Sequence, residues 1–492
     1  MNADYHVRVS TSLIATKYLL RCGMPFRGNG EKDDSLFKGP FLELINTLKE
    51  ANPNIASVID CAPGNNFMTA PKIQKDLAAA CAFEITKEII CDIADDVFCV
   101  LIDESGDVAG KEQMAVVLRY VNNEGLLKER FLGIVSVKGT SAKSLKEALE
   151  KMLSINGLSL SSIRGQGYDG ASNMRGKFGG LRTLIQNENP SAYYVHCFAH
   201  QLQLALVACA KAHKGVSGFF GNVNILVNFI RASNKRQQLL RDEQVSQFAQ
   251  LIEDGEIETG SGLNQESSIA RAGDTRWGSH FRTLTSLMKI YGAIVGVLEE
   301  VGEDPTFSKY GETTLLLDLL QSFDFIFMLY MLVEILGFTN DLSVALQKRD
   351  QDLINALSLV NATKQELQEM RDEGWEELIS KVVNLYRADS NFAKLKGLPD
   401  LCAKLVETKK CNTFDIVYKL LKLALVLPVA TASVERVFSA MNLVKGTLSN
   451  KMSDQWLNDR LVTYIERDVF VTIDNDIILA HFQKMSGRRF EL

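Results

Sequence analysis

Nowhere in this chain do two cysteines stand two residues apart. Its nine cysteines, Cys22, Cys61, Cys81, Cys91, Cys99, Cys197, Cys209, Cys402 and Cys411, are scattered and odd in number. That spacing excludes a zinc finger of the CxxC…HxxxH kind. It also argues against a disulfide framework and for a reducing, intracellular setting. The N-terminal "MNADYHVRVSTSLIATKYLLRCG" lacks the long apolar core and small-residue cleavage site of a signal peptide. Long apolar runs are missing too. The most apolar stretch, "FIFMLYMLV" at 325–333, is nine residues long between Asp324 and Glu334. It is too short to span a bilayer and reads as a buried helix. There is no basic excess either: Lys+Arg is 54 against Asp+Glu 60, a net charge of −6. Nucleic-acid contact must therefore come from a local basic patch or from a further basic module.

What is present is an ordinary globular composition, 46% hydrophobic and 23% charged over 492 residues. That length suggests two or three domains, or one domain with a large insertion. Residues 1–90 read as mostly helical, punctuated by "CAPGNNFMTAP". Then "DVFCVLID" (96–103), "QMAVVLRYVN" (113–122) and "LKERFLGIVSV" (127–137) are runs of β-formers separated by glycine turns. They read as a three-strand meander. Within 141–153, Leu145, Ala148, Leu149, Met152 and Leu153 fall on one helix face. A fourth strand enters "GYDGASN", "LRTLIQ" is a short helix, "AYYVHC" (192–197) a fifth strand, and 200–213 a helix. The order β-β-β-α-β-α-β-α predicts an α/β fold: a mixed five-stranded sheet with helices packed against it. From 214 to about 425 the pattern is almost wholly helical. The predicted domains are 1–90, 91–213, 214–425 and 426–492.

Two acids stand at strand ends. Asp103 closes the first strand and Asp169 the fourth, strands that are commonly neighbours in a sheet of this order. Each acid alone is also an ordinary turn residue. Paired in one cleft, two carboxylates repel and call for a cation. All-oxygen ligands suit Mg²⁺ or Mn²⁺, and two such ions about 3.5–4 Å apart serve phosphoryl transfer. The glycines around Asp169 would let a large ligand's backbone come close. Arg231, Lys235, Arg236 and Arg241 form the best basic helix face, though such faces are usually only solvated.

"LIDES" on the first strand resembles an RNase H-like core. "GYDGASNMRG", "VHCFAHQLQLAL", "DTRWGSHFRTL" and "SVERVFSAMNLVKGTLSNKM", in that order, resemble the hAT transposase superfamily. Among its members the resemblance extends to the host-genome hAT-derived proteins of the zinc-finger MYM-type and DUF4371 group. The resemblance covers nearly the whole chain. It implies an RNase H-like core interrupted by a large all-α insertion. It implies catalytic acids at Asp103, Asp169 and Glu435, holding two Mg²⁺ or Mn²⁺ ions for DNA cleavage and strand transfer. Cys197 and His200 match a CxxH motif whose histidine approaches the scissile phosphate, with Cys197 at the DNA. Arg276 and Trp277 match an Arg-Trp motif whose tryptophan stacks near the cut. Residues 427–467 match the dimerisation region, with Val434, Phe438, Trp456, Leu457 and Leu461 as interface candidates. Read from the residues alone, those apolar positions fit a core equally well.

The chain departs from the family in lacking the BED- or TTF-type zinc finger that finds DNA ends. Two functions follow as expectations. One is an active, nuclear DNA transposase working as a homodimer or higher oligomer, with no membrane and no small-molecule substrate. The other is a domesticated, catalytically silent dimer that binds chromatin or a partner. The intact acids favour the first; the missing finger and the acidic balance favour the second.

Overall fold

The computed structural model describes residues 3–28, 35, 37–63, 66–94, 96–253, 268–269, 271–273, 277–303, 310–373, 422, 426, 430–445 and 452–485. The chain forms two units, one of Met1–Cys197, Gln347–Ile354 and Leu395–Leu492, the other of Phe198–Leu346 and Asn355–Lys394. The first boundary falls after Cys197, earlier than the residue 213 read from the sequence. The apolar face of the helix that follows explains this: Leu206, Val207 and Ala210 pack into the second unit's core.

The first unit opens with four helices, α1 (Ala3–Arg21), α2 (Pro40–Ala51), α3 (Pro53–Asp60) and α4 (Pro71–Ile93). Three of them begin on a proline, where the missing N–H costs nothing and the ring's fixed φ suits a first turn. Then come β1 (Phe98–Gly106), β2 (Glu112–Val121), β3 (Leu127–Ser136), α5 (Ala142–Ile155), β4 (Ile163–Tyr168), α6 (Ser172–Arg175), α7 (Leu181–Glu188) and β5 (Tyr193–His196). The sheet has five strands in the order β3-β2-β1-β4-β5. β1 pairs antiparallel with β2 and β2 with β3, while β1–β4 and β4–β5 are parallel. This is the mixed sheet expected from the sequence, with the first and fourth strands side by side.

The second unit holds α8 (Phe198–Ala212), α9 (Lys214–Arg231), α10 (Asn234–Glu253), α11 (Trp277–Lys289), α12 (Tyr291–Glu303), α13 (Tyr310–Gln321), α14 (Phe323–Leu346) and α15 (Leu353–Asp372), the last from Asn355 onward. All are helices, and they share their own core around Val227, Leu287, Ile294 and Leu298. The apolar run at 325–333 belongs to a helix of 24 residues rather than nine. By length and composition alone Phe325–Leu346 could cross a membrane. Here Phe325, Leu329, Leu332 and Leu336 are buried in the second core. Of the basic face, Arg231, Lys235 and Arg241 are exposed. Arg236 is buried, with its guanidinium 4.1 Å from the Phe229 ring centre.

The chain ends in the first unit with α16 (Ala432–Val444), α17 (Asp454–Ile465), α18 (Arg467–Thr472) and α19 (Asn475–Lys484). One continuous core takes in α1–α4, the sheet, α5, α7 and these last helices. The N-terminal helices are therefore not separate from the sheet. Nor are the interface candidates free. Val434, Phe438, Leu457 and Leu461 are buried in that core. Trp456 is partly buried and meets Phe26 edge-on, with ring centres 5.2 Å apart. The apolar faces of α16 and α17 are spent on the sheet and on α4, which is why a helix face alone did not tell core from interface.

α17 also covers the outer edge of β3. A register shift between Val116 and Val117 of β2 lets Phe131 and Ile134 both turn their N–H groups outward. Glu466 Oε1 accepts the first and Asn458 Oδ1 the second, each at 2.8 Å. The exposed row of donors on an edge strand is thereby partly capped.

Candidate carboxylate site

β1 runs three residues beyond Asp103, so this acid is not at the strand's end as read from the sequence. It lies where β1 loses one neighbour. Pairing with β4 stops at Leu101↔Gly167, while pairing with β2 continues through Asp103↔Ala115 to Gly106↔Glu112. Two residues beyond Leu101 and Gly167 stand Asp103 and Asp169. In a parallel pair, equal steps of two keep residues level and on one face, on strands about 5 Å apart. The sheet thus sets these carboxylates side by side at a gap between strands.

Glu435 enters from the first turn of α16. That turn is tethered to the sheet at two points. The Cys197 Sγ accepts the Thr431 N–H at 3.3 Å and the Thr431 hydroxyl at 3.4 Å. The Ser433 hydroxyl donates to Glu129 Oε2 on β3. Glu129 is itself buried against Arg119, Nη1 to Oε1 at 2.6 Å. Arg119 donates on to the carbonyls of Arg349 at 3.0 Å and Gln351 at 2.5 Å, so the returning segment 347–354 is fixed to the same network. The far end of α16 is held by Lys445, whose ammonium is 2.6 Å from Asp107 Oδ2 in a fully buried pair.

Burial dominates the electrostatics, and neighbouring acids add to it. Burial pushes the Asp103 carboxyl up to about 7, and the charges of Asp169 and Glu435 push it the same way. The Glu104 N–H, bonded to Asp103 Oδ1 at 3.0 Å, opposes the rise. Glu104 is raised to about 7 as well, by burial and by Asp169, although Asn173 Nδ2 donates to it at 3.0 Å. Glu104 was missed from the sequence; the only signal was a second acid directly after the first in "LIDES".

Asp169 is shaped by its own turn. Its Oδ1 accepts the Ala171 N–H at 3.1 Å and its carbonyl accepts the Tyr194 hydroxyl at 2.9 Å. The glycines around it serve the protein rather than a ligand. A Cβ on Gly170 would sit 2.8 Å from His196 Nε2. One on Gly180 would sit 2.3 Å from the Gly176 nitrogen. The expectation that glycine makes room for a phosphate backbone is replaced, at these positions, by close contacts within the fold.

Cys197, expected at DNA, is 2% exposed and tethers α16 instead. His200 lies on α8 in the second unit. Arg276 lies outside the described residues, and Trp277 opens α11 with its side chain outside them.

Asp103, Asp169 and Glu435, on three elements, offer oxygen donors of the kind hard divalent cations take. Their mutual repulsion is what a cation would relieve. As the side chains stand, no group of three His, Cys, Asp or Glu among the described residues is drawn close enough to hold an ion.

Comparison with known proteins agrees with the two ends of the first unit. Residues 1–180 match the DUF4371 family, described as ZMYM1/FAM200, RNase-like domain. Residues 399–469 match the hAT family C-terminal dimerisation region. The human protein named "52 kDa repressor of the inhibitor of the protein kinase" is 23% identical over 314 residues, 63% of this chain and 40% of that protein. The mouse protein of the same name matches over the same extent. The chain thus spans about 40% of the length of these relatives.

Proposed function

We propose that this chain, which joins a ZMYM1/FAM200-type RNase-like domain to a hAT dimerisation region, is a DNA-cleaving protein of the hAT transposase type. Its catalytic carboxylates are Asp103, Asp169 and Glu435. One observation carries the reading. Asp103 on β1, raised to about 7 chiefly by burial, also feels the charges of Asp169 in the turn after β4 and Glu435 at the start of α16, which push it the same way. Structural acids are usually placed to avoid such repulsion; active sites are where it is retained.

These residues would hold Mg²⁺ or Mn²⁺, which when bound supplies an activated oxygen nucleophile and charge stabilisation at phosphorus. The chain's own part is positional. The β1–β4 pairing, which puts Asp103 and Asp169 two residues beyond Leu101 and Gly167, and the Cys197–Thr431 and Glu129–Ser433 contacts, which hold the turn that carries Glu435, support this reading. In this reading His200 approaches the scissile phosphate, Arg276 and Trp277 contact DNA, and the protein acts as a nuclear homodimer or higher oligomer. With the α16 and α17 apolar faces buried, that assembly uses other surfaces of the region.

A second reading, a catalytically silent regulator, is favoured by the word "repressor" in the relatives' name and by carboxylates that are not gathered tightly. The deciding experiment is nicking of supercoiled DNA carrying the sequences that flank the gene, with Mg²⁺ or Mn²⁺, by the wild type and Asp169→Ala. Nicking lost in the variant supports the enzyme. Nicking unchanged by the substitution removes the catalytic reading. Mn²⁺ binding without nicking supports the regulator.

A further inference from the structure

The flap between Asp169 and α7 carries a residue that neither the core nor the carboxylates use. It is pinned firmly. Asn173 Nδ2 donates to Glu104 Oε1 at 3.0 Å and to the Thr140 carbonyl at 2.8 Å. Met174 is buried, and the Gly180 N–H and the Thr183 hydroxyl both donate to the Gly176 carbonyl at 2.9 Å. On this fixed turn Phe178 is 93% exposed, more than any other large apolar side chain among the described residues. Arg175 and Lys177 beside it are exposed too. The Lys177 ammonium lies 5.9 Å from the centre of the Phe178 ring, within the range at which a cation feels an aromatic face.

Arg175 on the flap reaches toward the turn that carries Asp169. The Arg175 Cδ lies 3.6 Å from where a Cβ on Gly170 would be, next to Asp169. With Cα atoms 3.8 Å apart along the chain, the Phe178 backbone is within about 11 Å of that of Arg175. Carboxylates, two cations and an open aromatic ring therefore lie within a few nucleotides' reach of one another. An aromatic ring flanked by Lys and Arg is the arrangement that holds single strands, the base stacked on the ring and the phosphates neutralised beside it. A base paired within a duplex hides its face from such a ring.

We propose that Phe178 stacks on an unpaired base of a DNA strand beside the carboxylate site, with Arg175 and Lys177 on the adjoining phosphates. The ligand class rests on the nucleic-acid reading above. Lys177 lies over the ring's face until a base replaces it, and Gly179 next to Phe178 adds no competing side chain.

The test uses the full chain in EDTA with a single-stranded 12-nucleotide DNA carrying 2-aminopurine, read by anisotropy and by stacking-induced quenching. The expected result is quenching by the wild type, retained by Phe178→Trp. Phe178→Ala should abolish the quench and weaken binding about tenfold or more. Lys177→Gln should keep the quench and lower the slope of log affinity against log salt by about 0.7. Unchanged binding and quenching by Phe178→Ala overturn the inference, as does a wild type that binds no single strand. Mn²⁺ binding, followed by EPR on the same proteins, separates this from the parent reading. It should depend on Asp169 and not on Phe178. Absence of Mn²⁺ binding with Phe178-dependent stacking intact would remove the carboxylate reading and leave the stacking site standing.

Discussion

Cys197 and Thr431 are in contact, Sγ to backbone nitrogen at 3.3 Å, and they join the end of β5 to the cap of the helix that carries Glu435. The thiol stands where another helix start would use a side-chain oxygen of its own, and Thr431 makes no such cap to α16. Removing the acceptor from a buried donor costs about 1–3 kcal/mol. Cys197→Ala should therefore lower the urea midpoint of the full chain by a corresponding amount, while Cys197→Ser should recover most of it. Equal stability of wild type and Cys197→Ala would mean that the contact holds nothing.

The carboxylates should cost stability when no cation is present. Asp103 titrates at about 7 in the folded chain against an ordinary 3.8, because burial, Asp169 and Glu435 disfavour its charge. The unfolded chain ionises first, so this group's penalty is absent below pH 4, grows between pH 4 and 7, and is complete above 7. Asp103→Asn should then stabilise the protein at pH 8 by about 2 kcal/mol, less than the full shift implies because water reaches the site. The gain should vanish at pH 4. Thermal denaturation at the two pH values checks it, and a variant less stable than wild type at pH 8 contradicts the raised Asp103 carboxyl.

Gly170 offers a sharper geometric check. A methyl group there would lie 2.8 Å from the His196 ring nitrogen, inside van der Waals contact. Gly170→Ala should destabilise by about 1–3 kcal/mol as the ring is forced off its place. Adding His196→Ala should remove most of that cost, a coupling that a double-mutant cycle reads directly. Additive effects would mean that the glycine is there for some other reason.

Much of the fold was legible in the sequence for simple reasons. Runs of β-formers between glycine turns marked β1, β2 and β3, and a one-sided apolar period marked α5. Asp103 and Asp169 stood out because an acid beside a strand is visible locally. Glu435 did not, since an acid in a helix's first turn is commonplace; only the family resemblance singled it out. The tethers were invisible for another reason. Glu129 meets Ser433 and Cys197 meets Thr431 across more than two hundred residues, and no local pattern encodes such pairs. The role given to the glycines went astray likewise, because His196, which fills the space beside Gly170, arrives from a different strand.

The Asp107–Lys445 pair anchors the other end of α16 and should make itself felt in acid. Burial alone would raise the Asp107 carboxyl. Lys445, the N–H groups of Lys111 and Ala109 and the Gln113 amide outweigh it and hold it down at about 2. A carboxyl depressed from 3.8 contributes stability that is whole above pH 4 and is lost as pH falls toward 2, about 2 kcal/mol in all. Lys445→Met leaves the acid buried without its cation and should cost about 3–5 kcal/mol at pH 7. The double variant Asp107→Leu with Lys445→Met should recover much of that. Chemical denaturation at pH 7 and pH 3 measures both effects, and a Lys445→Met chain as stable as wild type would show that the pair is solvated.

The dimerisation region makes a last prediction, because its most apolar residues are already occupied. Leu457 and Leu461 on α17 and Val434 on α16 are fully buried in the core of one chain. Truncating a fully buried leucine costs about 2–5 kcal/mol through lost burial and the cavity left behind. Leu461→Ala should therefore lower the melting temperature and expose the chain to proteolysis, whatever its oligomeric state. Leu443, on the same helix as Val434 but 59% exposed, has no such role in the monomer. Leu443→Asp should leave stability within about 0.5 kcal/mol of wild type, and any oligomer built on this face of α16 should dissociate in light scattering. If Leu461→Ala instead gave a monomer as stable as the wild type, the burial of α17 in a single chain would be wrong, and the apolar face of that helix would belong to the interface.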